Sequence, residues 1–323
     1  MKSIRPFKRS QRGIALITAV LIVALATILA TNVSFRGYLD QRRSSTQFIL
    51  DQGYEVALGA EAWAADTLQK DMKGAKTVDF TQAWATPLPP IPIDGGDVEG
   101  GVEDMQGRIN LNDLIDPRTG KADPKAIARL QMLLELLQME PAWAQAIADW
   151  IDTDTDPEIP DGAEDTVYTS LTPSYRTANM PITRTSELLS LNGFGIERYR
   201  KLEPFVIALP PSGQGLLINV CTAPPEVLDA IVGEVNFSQS KDNVTESRKR
   251  GCFPSKEVAI GPITDGQRRQ EVQRILTETS KYFRATIFVT IGSTQFTMYS
   301  LLYSSGGQTG TVFRPILRSF GSA

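Results

Sequence analysis

The sequence predicts an α+β protein in which a long N-terminal helix packs on an antiparallel sheet and a large all-α domain is inserted between the sheet's parts. Three observations carry that expectation. An uncharged apolar stretch runs from Ile14 to Phe35, and no proline occurs between Pro6 and Pro87, so one helix can continue far past the apolar part. At the other end, "KYFRATIFVTIG", "TQFTMYSLLYSS" and "TVFRPILRSF" are β-branched and aromatic, separated by Gly- and Ser-rich breaks. Between them, apolar residues recur mostly at helical spacing.

Lys2, Arg5, Lys8, Arg9 and Arg12, with no acid among them, precede the apolar run. About 22 residues at 1.5 Å rise give about 33 Å, against a bilayer core of about 30 Å. The basic flank stays cytoplasmic, which puts everything after Phe35 on the far side. A cleaved signal peptide, cut near Ala24–Ala26, is the competing reading; a run longer than the usual signal core favours retention. Downstream, Phe48, Leu50, Tyr54, Val56, Leu58, Trp63 and Leu68 extend the helix into a spine, about 55 residues or 80 Å in all.

Ala85–Gly101, rich in Pro and Gly, reads as a turn-laden connection. "GGVEDMQGRINLNDLID" then begins as strand and ends at a helix start, with Asp113 or Asp116 as caps. The next helix has Ile127, Leu130, Leu133, Leu134, Leu136 and Leu137 on one broad face, Pro124 near its start and Asp123 before it. "PAWAQAIADWI" repeats the pattern. "TSELLSLNGFGIERYRKLEPFV" reads as two short helices joined at Asn192–Gly195, a turn similar to the helix-hairpin-helix element. Such a turn can grip a DNA phosphate, here with Arg198, Arg200 and Lys201; it also closes helical domains that touch no nucleic acid. "INVCTAPPEVLDAIV" is strand, turn and helix, and Pro315 puts the last strand at a sheet edge.

Composition narrows the function. The 323 residues are 41% apolar and 22% charged with net charge −4, which gives no bulk attraction to nucleic acid or anionic lipid. There is no His, so the commonest general base and zinc ligand are missing, and two cysteines make no zinc cluster. No nucleophile elbow, phosphate-binding loop or aspartic-protease turn occurs, so the sequence argues against an enzyme. Cys221 and Cys252 either form a disulfide, worth about 3–4 kcal/mol by loop entropy, or remain two buried thiols.

The acidic run "DWIDTDTDPEIPDGAED", from Asp149 to Asp165, contains no Lys or Arg. Carboxylates about 5 Å apart at an effective dielectric near 20 repel by roughly 3 kcal/mol per pair, so such a loop needs solvent or a cation. A solvated turn is one reading. The alternation of Asp152, Asp154 and Asp156, with Glu164 and Asp165 returning later, points to a cation held by those five; Asp149, Glu158, Asp161 and Asn179 rank behind them. The loop is no EF-hand, because Pro157 stands where Gly is needed and Ala163 occupies the twelfth position. Oxygen donors alone favour calcium over softer metals.

Arg12-Gly13 followed by "IALITAVLIVALATILA" resembles a type IV pilin-like leader. The resemblance implies cleavage after Gly13 by the prepilin peptidase and N-methylation of Ile14. Most such proteins carry Glu at the fifth mature position, and here it is Thr18. That departure, with the large body and the order of "GRINLNDL", the acidic loop, "ANMPITRTSELLSLNGFG", "INVCTAPPEVL" and the closing strands, resembles the K minor pseudopilins of type II secretion systems. It implies residues 1–13 as leader, 14–35 as transmembrane helix, 36–112 as spine and first pseudopilin strands, 113–205 as the inserted helical domain, and 206–323 as the rest of the pseudopilin domain. It further implies a single-pass protein of a bacterial inner membrane with its body in the periplasm and calcium in the insertion. The partners it implies are minor pseudopilins I and J, then H, the major pseudopilin, the assembly platform and exported proteins, with no nucleic acid. The function implied is the tip of a pseudopilus that helps export folded proteins. The rival is a singly tethered periplasmic calcium-binding or DNA-uptake protein.

Overall fold

A computed structural model of the chain describes residues 11–211, 215, 217–233, 236–307 and 310–321. Residues 1–10 of the expected leader lie outside them. The chain divides into two compact units, Met1–Glu55 and Val56–Ala323. Helix α1 (Gln11–Asp71) contributes to both.

In the first unit, Ile14, Leu21 and Phe35 are each about 60% exposed, as are the apolar residues between them. The most apolar 18-residue window has a mean hydropathy of 2.7. A helix apolar on every side needs lipid or other helices around it, and this one fits a single-pass membrane anchor. Its threonine hydroxyls bond within the helix: Thr18 Oγ1 donates to the carbonyls of Ile14 (3.1 Å) or Ala15 (3.0 Å), Thr27 Oγ1 to that of Val23 at 2.8 Å, and Thr31 Oγ1 to that of Thr27.

In the second unit, the last turns of α1 bury Ala57, Ala64 and Leu68. β1 (Leu88–Ile93) and β2 (Gly96–Asp104) follow. The short strands β3 (Ile109–Asn110), β4 (Ile115–Asp116) and β5 (Lys121–Ala122) lead into α2 (Pro124–Leu136), α3 (Trp143–Ile151), α4 (Asp165–Tyr168) and α5 (Gly195–Leu202). β6 (Val206–Ile207) and β7 (Ile218–Asn219) precede α6 (Pro225–Val232), α7 (Lys241–Arg248), α8 (Lys256–Ile260) and α9 (Gly266–Ile275). After β8 (Leu276–Thr277) come β9 (Tyr282–Ile291), β10 (Thr294–Gly307) and β11 (Gly310–Phe320). The main sheet has the order β1-β2-β9-β10-β11, every pair antiparallel.

The α+β expectation holds, and the closing strands form as read. β9 alternates half-buried and buried residues, with Phe283, Ala285, Ile287 and Val289 on the buried face, while Pro315 lies in edge strand β11. Asp123 caps α2, its carboxylate accepting from the Lys125 amide at 2.9 Å, with Pro124 in the first turn. Two local readings are corrected. The segment from Ala85 to Gly101 is not merely a connection: it supplies β1 and most of β2, and Pro89, Pro90 and Pro92 are tolerated because β1 is an edge strand. Asp113 and Asp116 cap no α-helix. Leu111–Leu114 is a single 3₁₀ turn, and Asp116 instead accepts from the amide and guanidinium of Arg118.

Everything from residue 105 to 281 is inserted between β2 and β9. One apolar core runs through it, from Ile109 and Leu130 through Phe194 to Val227, Val244 and Leu276, so helices α6–α9 continue the body built by α2–α5 beyond residue 205. The Cys221–Cys252 disulfide closes a separation of 31 residues within this second half and resolves the thiol alternative. The insertion is joined to the sheet through Asp104. This buried carboxylate accepts from Ser280 and Thr222 (both 2.6 Å), Asn219 (2.9 Å) and the Gln106 amide (2.8 Å).

Candidate metal centre

Helix α3 ends at Ile151 because its next residue, Asp152, adopts an extended conformation and turns the chain into the acidic loop. The apolar end of α3 roots that loop. Trp150 stacks edge-on against Tyr168 of α4, ring centroids 5.3 Å apart, and Tyr168 contacts Tyr175 at the same separation. Gln145 donates to the Ile159 carbonyl at 2.9 Å, and the Tyr175 hydroxyl to that of Ser190 at 2.7 Å. Gly162 is required sterically: a Cβ there would lie 2.3 Å from Asp149 Oδ2 and 2.4–2.5 Å from the Glu158 backbone.

This frame brings Asp149, Asp152 and Glu164 together, each offering a carboxylate oxygen within 4.8 Å of the others. All three are at most 2% exposed. Asp149 accepts from the Glu158 amide at 3.1 Å and shapes the loop; Asp152 Oδ1 and Glu164 Oε1 are buried without a hydrogen-bond partner among the described residues. Burial pushes the Asp152 carboxyl up to about 7, helped by the charges of Asp154, Asp149, Glu164 and Glu158. Burial likewise carries Asp149 to about 6 against the hydrogen bonds it accepts, and raises Glu164.

Of the five residues read as leading ligands, Asp152 and Glu164 converge. Asp154 is exposed but close enough for its charge to act on Asp149, Asp152 and Glu164. Asp156 is exposed, and its amide donates to Asp154 Oδ1 at 3.0 Å. Asp165 faces Thr177, accepting from its amide (3.1 Å) and hydroxyl (3.0 Å), with Arg176 at 3.6 Å. Among the second-ranked residues, Asp149 takes a central place through its position in the last turn of α3. Asn179 is pinned by a 2.8 Å bond from Nδ2 to the Asp154 carbonyl, and its Oδ1 is buried without a partner among the described residues. Glu158 is half-buried and Asp161 exposed.

Buried oxygen acceptors without donors, among carboxyls that resist ionising together, are what a hard cation satisfies. The donor set fits calcium: Asp152 and Glu164 would hold it, with Asp149, Asp154 and Asn179 around them.

The helix-hairpin-helix turn forms at Gly193 and Gly195, both with positive φ. Two of its three cations are engaged within the fold, and Arg200 is exposed. Arg198 donates to both Glu140 oxygens (3.0 and 3.2 Å) and to the carbonyls of Gly193 and Phe194, with its guanidinium over the Trp143 ring. Arg200 lies 3.9 Å from Glu197, and Lys201 donates to the Gln138 carbonyl at 3.4 Å. The arrangement closes a helical domain, with Arg198 and Lys201 bonded inside it.

A family model described as "Type II secretion system (T2SS), protein K" matches residues 107–211. The type II secretion system protein K of Pseudomonas aeruginosa is 34% identical over 307 residues, covering 91% of this chain and 89% of its own length. That of Pectobacterium carotovorum is 31% identical over 315 residues, covering 94% and 96%. The crystal structure of the GspK–GspI–GspJ complex from the type 2 secretion system of enterotoxigenic Escherichia coli contains a chain similar in fold. Its TM-score is 0.75 at 24% identity, over 87% of this chain and 100% of that one. The leader-like N-terminus, the order of motifs and these relatives agree: the chain belongs to the type II secretion system protein K family of minor pseudopilins.

Proposed function

We propose that this chain is the non-catalytic tip subunit of a periplasmic pseudopilus: it seeds the filament, binds minor pseudopilins I and J through its spine, and supports export of folded proteins across the outer membrane. The observation that carries the proposal is Thr18. In pilin-like filaments the fifth mature residue is a Glu that neutralises the amino terminus of the subunit added before it. Burying an unpaired ammonium in lipid is costly, so a subunit bearing that Glu is favoured wherever a predecessor exists. Thr18 offers no charge, and its hydroxyl is bonded to carbonyls of its own helix. A first subunit, with no predecessor, loses nothing by this.

The insertion supports the same reading, because a helical body spanning residues 105–281 is difficult to accommodate between stacked neighbours. Cleavage after Gly13 by the prepilin peptidase, methylation of Ile14, and a cytoplasmic N-terminus with a periplasmic body complete the proposal, along with contacts to H, the major pseudopilin and the assembly platform. Calcium in the acidic loop would hold the insertion's shape. Co-expression of the full chain with I and J tests the complex: a stable ternary assembly is expected, and failure of either to co-purify contradicts it. Mass spectrometry of the mature N-terminus tests the processing, and an intact leader or a cut near Ala26 contradicts it.

A further inference from the structure

The second unit holds a cleft of about 200 Å³, apart from the acidic loop, where β2 meets the start of α6. Gly107 fixes its geometry, since a Cβ there would lie 3.1 Å from the backbone of Thr222 and Ala223. The next residue, Arg108, lines the cleft with a side chain only 15% exposed. Its guanidinium donates no hydrogen bond among the described residues. Its nearest acid is Glu103 Oε2 at 3.5 Å, and that oxygen already accepts from Arg284 at 2.7 Å. A largely buried cation met only by a shared, long ion pair to Glu103 is incompletely satisfied, and a planar fork matches a carboxylate bidentately. Phe80, Trp84, Val102, Pro204 and Pro224 form an apolar and aromatic wall suited to an extended peptide, while Glu103, Asp104 and Thr222 line the polar side beside Arg108.

We propose that this cleft docks an extended segment of a partner protein, with Arg108 gripping a peptide carboxylate and the Phe80–Trp84 wall holding the adjoining apolar residue. The inference does not depend on where in a filament the chain sits. Glu103, Glu203 and the buried Asp104 all bear on Arg108, so the incoming carboxylate competes with resident acids and binding is modest. Asp104 itself is already saturated by Ser280, Thr222, Asn219 and the Gln106 amide. Glu103, half-exposed and still held by Arg284, is the one that yields.

The test uses the full chain in nanodiscs and a fluorescein-labelled Gly-Pro-Pro-Leu-Phe peptide with a free C-terminal carboxylate. Two comparison probes are its C-terminal amide and an amide version carrying an internal Glu. Saturable binding of the free acid, at least tenfold tighter than the plain amide, is expected; preference for the internal Glu would assign the site to a side-chain carboxylate instead. Arg108→Gln should lose at least tenfold with melting not lowered, Arg108→Lys should fall between, and Glu103→Gln should bind several-fold tighter. Equal binding of acid and both amides, which needs no variant, overturns the proposal. So does competition by acetate or phosphate as effective as by unlabelled peptide.

Discussion

Replacing Asp152 by Asn should reverse its effect on stability according to whether calcium is present. Asp152 is 2% exposed, and burial with four neighbouring acids lifts its carboxyl from 3.8 to about 7. Three units at about 1.36 kcal/mol each set an upper value of about 4 kcal/mol for ionising it in the metal-free fold. A raised folded-state value means the contribution is fully present below the ordinary pKa and is lost as pH rises towards about 7. Wild-type protein in chelator should therefore weaken between about pH 4 and pH 8. Asn removes the charge, so at pH 8 in chelator the variant should gain roughly 1–3 kcal/mol after allowing for the buried amide. For a body of this size that is about 2–4 °C in Tm per kcal/mol. With calcium at about a hundredfold its Kd, wild type should gain about 2.7 kcal/mol that the variant largely forgoes. Calorimetry of the full chain in detergent, with chelator and then with calcium, reads both shifts. An Asp152→Asn protein less stable than wild type in chelator, or equally raised by calcium, would refute the reasoning.

Gly162→Ala should abolish calcium-dependent stabilisation without touching an acid, since its Cβ would collide with Asp149 and the Glu158 backbone; the same calorimetry checks it. Glu61, 4% exposed, accepts two bonds from Arg318 (2.7 and 2.8 Å) and one from Ser300 (2.5 Å), tying α1 to β10 and β11. Burial alone would raise its carboxyl, but these donors outweigh it and hold it below the ordinary range. That stability is present above the unfolded pKa and is lost as pH falls through the folded one. Arg318→Leu, which strands the buried carboxylate, should cost about 3–5 kcal/mol in urea unfolding at pH 7 and much less once Glu61 is protonated. Cys221→Ala/Cys252→Ala should lose about 3–4 kcal/mol by the same measurement, the loop-closure contribution for a separation of 31 residues.

The parts legible in the sequence are those whose signal is local. The apolar span and the alternation in β9 are periodic, and Asp123 with Pro124 is a cap that contacts only its own helix. The β1–β2 hairpin escaped because its prolines and glycines are also what a loop would carry. What makes β2 a strand is pairing with β9, a partner far along the chain: Val98 with Val289, Glu103 with Arg284. Asp149 ranked second because sequence order places it inside a helix, whereas its role comes from the last turn of α3 aiming it at Asp152 and Glu164. α7 and α9 are mostly polar, with Val244 and Val272 as their buried apolar residues, so little in their composition marks them as parts of the common core. Arg108 could not be singled out by sequence, since its burial beside an acid already held by Arg284 is a property of the neighbours that surround it.

The account stands chiefly on an amino terminus that enters the filament with no subunit before it. Locating the chain directly is the plainest test: gold-labelled antibody against the 105–281 insertion, applied to assembled pseudopili and imaged by electron microscopy. Label at a single end of each filament is the predicted result. Label distributed along the shafts would contradict it.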